Sequence, residues 1–331
     1  MNKQRYRIVF NQARGLLMAV AEHVKSKDKA STTAGRTSPL LMPVTVGLTP
    51  LRLAVLLATG AAAMLPLSAY PAGIAADPTA PAGQQPNIGQ TASGIPLVNI
   101  TTPSAAGVSR NTYSQFDVDR QGAILNNSRA NAQTQLGGWV QGNPNLAAGT
   151  ARVILNEVNS SNPSLLNGYV EIAGSRAQLV IANPAGISCD GCGFINAQRA
   201  TLTTGTPILQ GGNLLGYRVG GGTISFLGNG LDARDANYTD VIARAVEVNA
   251  GLWAQDLNVI AGTYQVVVAG SGNATSIAPI AADAGSTAPA LSVDVAALGV
   301  VILTSGMPLA VRPTCGCCPA GAVGSAAMPA G

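Results

Sequence analysis

From Asp77 to Gly331 the chain has no lysine and no histidine; its single histidine is His23, and all four lysines come before residue 30. Those absences exclude Ser-His-Asp and Cys-His nucleophilic catalysis, histidine-ligated metal and Schiff-base lysine chemistry in that segment. Aromatic residues make up 4% of the chain and charged residues 10%, too few for an aromatic-rich core or a strongly charged face. From Asp77 onward ten arginines stand against thirteen acidic residues, a formal charge of −3, although the whole chain carries +4. A nucleic-acid partner needs a basic footprint to neutralise phosphates, and none is present. No enzyme activity, cofactor, metal or nucleic-acid partner is expected.

The missing positive charge is at the other end. Nine of the nineteen basic residues fall between Lys3 and Arg52, opposed only by Glu22 and Asp28. An apolar run of 13 residues, LAVLLATGAAAML from Leu53, follows and ends at Pro66. A basic region, a short apolar region and the small-residue stretch AGIAAD describe a secretory signal peptide. The run is shorter than the roughly 20 apolar residues that span a bilayer. Residues 1–76 therefore read as an export leader: an extension over 1–24, a basic linker over 25–52 and the apolar and cleavage region over 53–76. Gly73 and Ala75 are small where a signal peptidase reads, which places cleavage near Ala75 or Ala76 and a mature start near Asp77. The general secretion machinery and signal peptidase are the implied partners. The leader is expected to be helical, as a basic amphipathic segment on a membrane face, or disordered.

Beyond the leader, short Val/Ile/Leu/Thr segments alternate with Gly, Asn and Asp. GYVEIAG from Gly168, RAQLVIANPAG from Arg176, RATLTTG from Arg199 and TYQVVVAGSG from Thr263 all show the period-two pattern of strands. No stretch sustains a helical period, so the fold class is all-β. Both a sandwich and a parallel β-helix fit short strands with regular turns. The small aliphatic core candidates and Asn-rich bends favour the solenoid, whose coils bury their apolar rows against each other.

The stretch Gly94 to Val268 then carries a resemblance. GIPLVNITTPSAAGVSRNTYSQFDVDRQGAILNNS, TQLGGWVQGNPNL, the run from ILNEVNSSNPSLLNG to FINAQRATLTTG, and GLDARDANYTDVIARAVEVNAGLWAQDLNVIAG occur in order over 175 residues. They resemble the amino-terminal secretion domain of two-partner-secretion exoproteins: filamentous haemagglutinins, haemolysins and contact-dependent inhibition toxins. Likewise MNKQRYRIVFNQARGLLMAVAEHVK resembles the extended signal peptides of large exported Gram-negative proteins. The resemblance implies a right-handed parallel β-helix with an amino-terminal cap and extra-helical strands. It also implies a dedicated outer-membrane β-barrel transporter as partner, which reads the domain with its periplasmic polypeptide-transport domains, and a destination at the cell surface or outside the cell.

Two Asn-Pro motifs are the family's landmarks, and their positions here are Asn143, Pro144, Asn145 and Leu146, then Asn183, Pro184 and Gly186. Ala185 departs from the Asn familiar at that place. Each motif reads equally as a tight turn and as a recognition element. Cys189 and Cys192 flank a D-G turn between strands, and in an oxidising compartment a local disulfide is the expected state, stabilising by roughly 2 kcal/mol on the chain-entropy view. Asp117 with Asp119, and Asp232 with Asp235, are the only candidates for an acid/base pair of a glycan-cleaving β-helix; their scatter and the absence of lysine argue against it.

Residues 77–93 read as a linker, 94–270 as the β-helix domain, and 271–299 as a linker and the start of a shaft. Residues 300–331, with Cys315, Cys317 and Cys318 clustered and only Arg312 charged, read as an aberrant, disordered tail from a shifted reading frame. The function expected is a secretion address for a large exoprotein whose adhesin or toxin body is not in this sequence; the alternatives are a self-contained small adhesin and, behind it, a polysaccharide-active β-helix.

Overall fold

The structure, a computed structural model, describes residues 73–284 and the short strands Tyr6–Asn11, Leu16–Ala21, Val293–Val295, Val300–Leu303 and Ala310–Arg312. The chain forms two units, Met1–Leu67 and Ser68–Gly331. In the first, Tyr6–Asn11 pairs antiparallel with Leu16–Ala21, Tyr6 opposite Ala21. The described part of the leader is thus a hairpin where helix was expected; Ile8, Val9 and Phe10 are residues that favour extended backbone. The basic linker and the apolar run lie outside the described residues.

The second unit is a parallel β-helix. Its chain turns through three sheets in a fixed order. Val153–Val158, Ser164–Leu166 and Tyr169–Gly174 make one coil, and Ala177–Ala182, Ile187–Cys189 and Cys192–Ile195 the next. Each strand pairs in parallel with its counterpart one coil on, as in Ile154↔Leu179, Leu166↔Cys189 and Val170↔Phe194. Because the register is kept, like positions stack into rows. Ile181, Leu202, Val241 and Val259 form one inward row, and Cys189, Phe226 and Val248 another. Burial of these rows is the main stabilising term, at about 1.5–3 kcal/mol per large aliphatic side chain.

A cap closes the amino-terminal end. Ile74–Ala76 runs antiparallel to Val108–Phe116, and Asn87–Gln90 antiparallel to Pro96–Asn99, which in turn pairs in parallel with Ala123–Asn127. Residues 77–93, expected as a linker, are therefore part of the fold. Inside the cap the polar groups are paired. The buried Tyr113 hydroxyl donates to Asn156 Oδ1 (2.9 Å), and Asn127 donates to the carbonyls of Ala151 and Ser175, both at 2.9 Å. Burial holds the Tyr113 hydroxyl well above its ordinary pKa.

Two excursions leave the solenoid after the strands Ala197–Thr203 and Leu257–Ala261, which lie in the same sheet. Leaving from one corner, they meet. Thr206–Gln210, Asn213–Val219, Tyr264–Val268 and Ala274–Pro279 join in that order as an antiparallel sheet. It covers the outward-facing Leu155, Val180, Ile242 and Ile260 with Tyr217, Val219 and Val266. This sheet of the solenoid is consequently buried on both faces, which is why VILNEV and AQLVIA read as nearly continuous apolar runs.

At the other end, the expected break after Gly299 is not where pairing stops. Val300–Leu303 pairs in parallel with Gly251–Ala254, and Ala310–Arg312 with Asn258–Ile260. The β-branched run VVIL continues the pattern of the coil before it. The cysteine cluster at 315–318 lies outside the described residues.

Candidate functional site

Both Asn-Pro motifs are built alike, around a buried asparagine. Asn143 Oδ1 accepts from the Asn145 N–H (2.9 Å), while its amide donates to the carbonyls of Ile100 and Asn126, both at 2.9 Å. Pro144–Leu146 is a single 3-10 turn with Leu146 buried beneath it. Asn183 repeats the arrangement: it accepts from the Ala185 N–H (2.9 Å) and donates to Asn162 O and Ser164 Oγ, both at 3.0 Å. Gly186 follows with φ +124°, a conformation that L side chains rarely adopt. Asn145 additionally donates to Ile100 O (3.1 Å), a bond that Ala185 has no means to make. The two motifs sit at different corners of the solenoid, share no hydrogen-bond partner, and expose chiefly Pro144 and Pro184.

What stands exposed beside the first motif is Trp139, with 69% of its surface accessible. It belongs to a hairpin, Ala132–Thr134 with Gly138–Val140, that projects just before Asn143. The hairpin is held from below. Glu171, itself buried, accepts from the Gln135 N–H (2.7 Å) and the Leu136 N–H (2.8 Å) at its tip. Thr134 Oγ1 donates across it to Gly138 O (2.7 Å). Sequence reasoning passed over Trp139; the signal was present, since QLGGWVQG offers the indole no apolar neighbour at strand spacing.

Cys189 and Cys192 stand at disulfide distance, Cα–Cα 5.3 Å, and both are buried in the interior row between two sheets. The Asp190-Gly191 turn they bracket has Gly191 at φ +81°. Both thiols should resist alkylation of the exported chain until reductant is added; labelling of both without reductant would show that they are unbonded.

Asp119 stands exposed, and the other three carboxylates are bonded individually. Asp117 accepts from the Leu165 N–H (2.8 Å) and from Gln115, and Asp235 from the Asn196 N–H (2.5 Å). Asp232 takes a bidentate Arg234 at 2.9 and 2.7 Å and the Tyr169 hydroxyl at 3.0 Å. The Arg234 hydrogen bond holds the Asp232 carboxyl below its usual range, while burial and then Asp232 raise the Tyr169 hydroxyl. A glycan-cleaving acid must keep its proton near neutral pH, and Asp232 is shifted the opposite way.

One charged pair is fully buried. Arg199 meets Asp240 at 2.6 Å, each side chain at most 5% exposed, with Tyr238 stacked 4.6 Å from the guanidinium carbon. Burial raises the Asp240 carboxyl and Arg199 opposes the shift. Arg199 also donates to Asn273, in the turn that joins Tyr264–Val268 to Ala274–Pro279, so this arginine ties the extra-helical sheet to the solenoid.

The three residues assigned to signal cleavage lie inside the fold. Ala75 and Ala76 pair with Gln115 and Tyr113, and the Asp117 N–H donates to Gly73 O (3.0 Å). Ile74 packs on the main core.

With this geometry in hand, the comparisons are consistent with one another. The TPS secretion domain profile matches residues 72–305, and that of the extended signal peptide of type V secretion systems matches residues 1–50. A toxin CdiA of Yersinia pestis is 54% identical over 90% of this chain, and a tRNA nuclease CdiA-2 of Burkholderia pseudomallei is 46% identical over 90%. The chain spans 9% of the length of each of those relatives. The crystal structure of a filamentous hemagglutinin secretion domain superposes with a TM-score of 0.61 at 34% identity, covering 69% of this chain and 75% of that one. The chain belongs to the family of two-partner (TPS) secretion domains, with an extended signal peptide at its amino end.

Proposed function

We propose that this chain is the secretion address of a larger surface exoprotein, carried across the inner membrane on its leader and recognised by a dedicated outer-membrane β-barrel transporter. It has no catalytic role in this reading, and whatever adhesin or toxin activity the exoprotein has resides elsewhere. The observation that supports a recognition role on this part of the fold is the Trp139 hairpin. A large aromatic is held out in solvent on a strand pair anchored by a buried carboxylate. Exposed aromatics on a rigid support are the residue type that carries binding energy at interfaces. Beside it Pro144 is exposed, while Asn143 keeps the turn in shape.

The experiment compares two variants of the full chain, co-expressed with the transporter, for secreted yield and for thermal unfolding. Trp139→Ala should unfold within about 0.5 kcal/mol of the parent, as exposed substitutions do. Its secretion should fall about tenfold, the effect of losing about 1.4 kcal/mol of binding. Asn143→Ala strands the Asn126 carbonyl and the Asn145 N–H and should cost about 1–3 kcal/mol of stability, with secretion falling only in step. Parental secretion of Trp139→Ala would remove the hairpin from the recognition surface. A loss of secretion in Asn143→Ala without a loss of stability would move direct recognition back to the asparagine.

A further inference from the structure

The outer face of the solenoid carries a second feature, separate from the Trp139 hairpin. Along one sheet, Tyr169, Gly193, Asp232 and Trp253 occupy a single outward row on four successive coils. Strand spacing sets the ends of that row about 14 Å apart. A cavity of about 390 Å³ lies over it, with Arg120, Asp190 and Asn229 at its sides.

Two glycines shape the cavity. A Cβ on Gly193 would meet the Tyr169 ring at 2.4 Å, and one on Gly251 would meet the Trp253 ring at 2.5 Å. Both rings therefore lie down along the sheet over a glycine instead of standing out from it. That posture turns an aromatic side chain into a platform. Between the platforms the polar groups are already fixed. Arg234 and the Tyr169 hydroxyl hold Asp232, and Asp190 Oδ1 accepts from the Asn229 N–H (2.7 Å) and amide (3.1 Å). The disulfide distance across Cys189 and Cys192 brackets Asp190 on its turn. Two carboxylates and two guanidiniums balance, so the groove has no formal charge of its own.

We infer that this groove binds a short neutral oligosaccharide. Sugar rings present polarised C–H faces that stack on the negative faces of aromatic rings, and hydroxyls at their rims that need preset donors and acceptors. A row with an aromatic platform towards each end and fixed carboxylates and guanidiniums between them supplies both. An anionic glycan would meet the carboxylates Asp190 and Asp232 in the groove, and a peptide strand would find no free sheet edge there, since the row lies in the middle of paired strands.

The test uses the exported full chain and three probes: chitotriose, cellotriose and maltotriose, with a heparin-derived tetrasaccharide as the anionic comparison. Binding is followed by calorimetry and by indole fluorescence, which reports only Trp139 and Trp253. Saturable binding of at least one neutral probe is expected, with a fluorescence change that persists in Trp139→Phe and disappears in Trp253→Ala. Trp253→Ala should weaken binding at least about tenfold, the effect of about 1.4 kcal/mol, while circular dichroism and transporter-dependent secretion stay at the parental level. Absence of saturable binding for all three neutral probes up to about 10 mM overturns the inference. So does tighter binding of the heparin fragment, or a secretion defect in Trp253→Ala without any sugar binding by the parent, which would give the groove to the transporter. The inference stands apart from the secretion role, because Trp253→Ala should lose sugar binding and keep secretion, whereas Trp139→Ala should lose secretion.

Discussion

Arg199→Ala is expected to lower the unfolding free energy by about 3–5 kcal/mol, the cost of leaving a buried partner charge uncompensated. Arg199 and Asp240 are almost wholly out of water, and the substitution also removes the stack on Tyr238 and the bond to Asn273. The deficit should depend on pH in a definite direction. Burial already holds the Asp240 carboxyl above its ordinary value, with Arg199 opposing the rise. Without the arginine the folded carboxyl rises further and binds a proton that the unfolded chain, with a pKa of about 3.9, has released. The native state then holds more protons than the unfolded state, so stability falls as pH rises through that window. Denaturant titrations at acid and at neutral pH should therefore find the variant closer to the parent in acid. Arg199→Met combined with Asp240→Leu should recover most of the loss, since an apolar pair leaves no charge behind. An equal deficit at both pH values, or no rescue by the double variant, would mean that packing and not charge holds this junction.

The second large effect concerns the amino end. Cleavage after Ala75 or Ala76 would remove Ile74–Ala76, a strand paired with Val108–Phe116 and packed through Ile74 on the core. We propose that the leader is instead cut upstream of Gly73, so that the exported protein retains Ile74. Sequencing the amino terminus of exported protein decides it: a first residue at or before Gly73 is expected, and a start at Asp77 would refute it. Removing residues 73–76 from the mature part should open the cap. Beyond the strand, Asp77 keeps its local bonds: it accepts from the Thr79 N–H (2.8 Å) and hydroxyl (2.7 Å), and these hold its carboxyl below the usual range. Faster amide exchange along Val108–Phe116 is the expected consequence, and unchanged protection there would show the strand to be dispensable.

Much of the fold was legible because its coils repeat one physical solution. Strands such as AQLVIA and RATLT show their type through β-branched and aliphatic content, and the turns through Asn, Pro and Gly. Cys189 and Cys192 were legible as a pair from the Asp190-Gly191 turn between them. Other features left no local trace. IAA and NIGQ are too short and too mixed to read as strands, and they become strands only because neighbouring residues offer unpaired backbone. Asn143 and Asn183 looked like surface turn residues, yet each is buried with its amide bonded inward, since nothing in a short motif says which way it faces. Nothing in the sequence around Arg199 marks it as buried; its burial depends on an excursion more than sixty residues downstream meeting one from an earlier coil. VVIL at Val300 was masked by the glycine- and proline-rich text that follows it.

The register of the solenoid also sets an order in time. Leu155 pairs with Val180, and Val180 with Thr201, so each new strand meets a template made only a few tens of residues earlier. A chain arriving amino end first can therefore wind coil upon coil without waiting for distant sequence, which keeps loop-closure entropy low at every step. The antiparallel cover is different, because Gly216 finds its partner Val267 only after the six solenoid strands between them have been laid down. Until then part of the outward apolar face that carries Leu155, Val180 and Ile260 faces water. During that interval the half-wound chain exposes an apolar stripe, and it sheds that stripe in one closing step when Asn273 reaches Arg199.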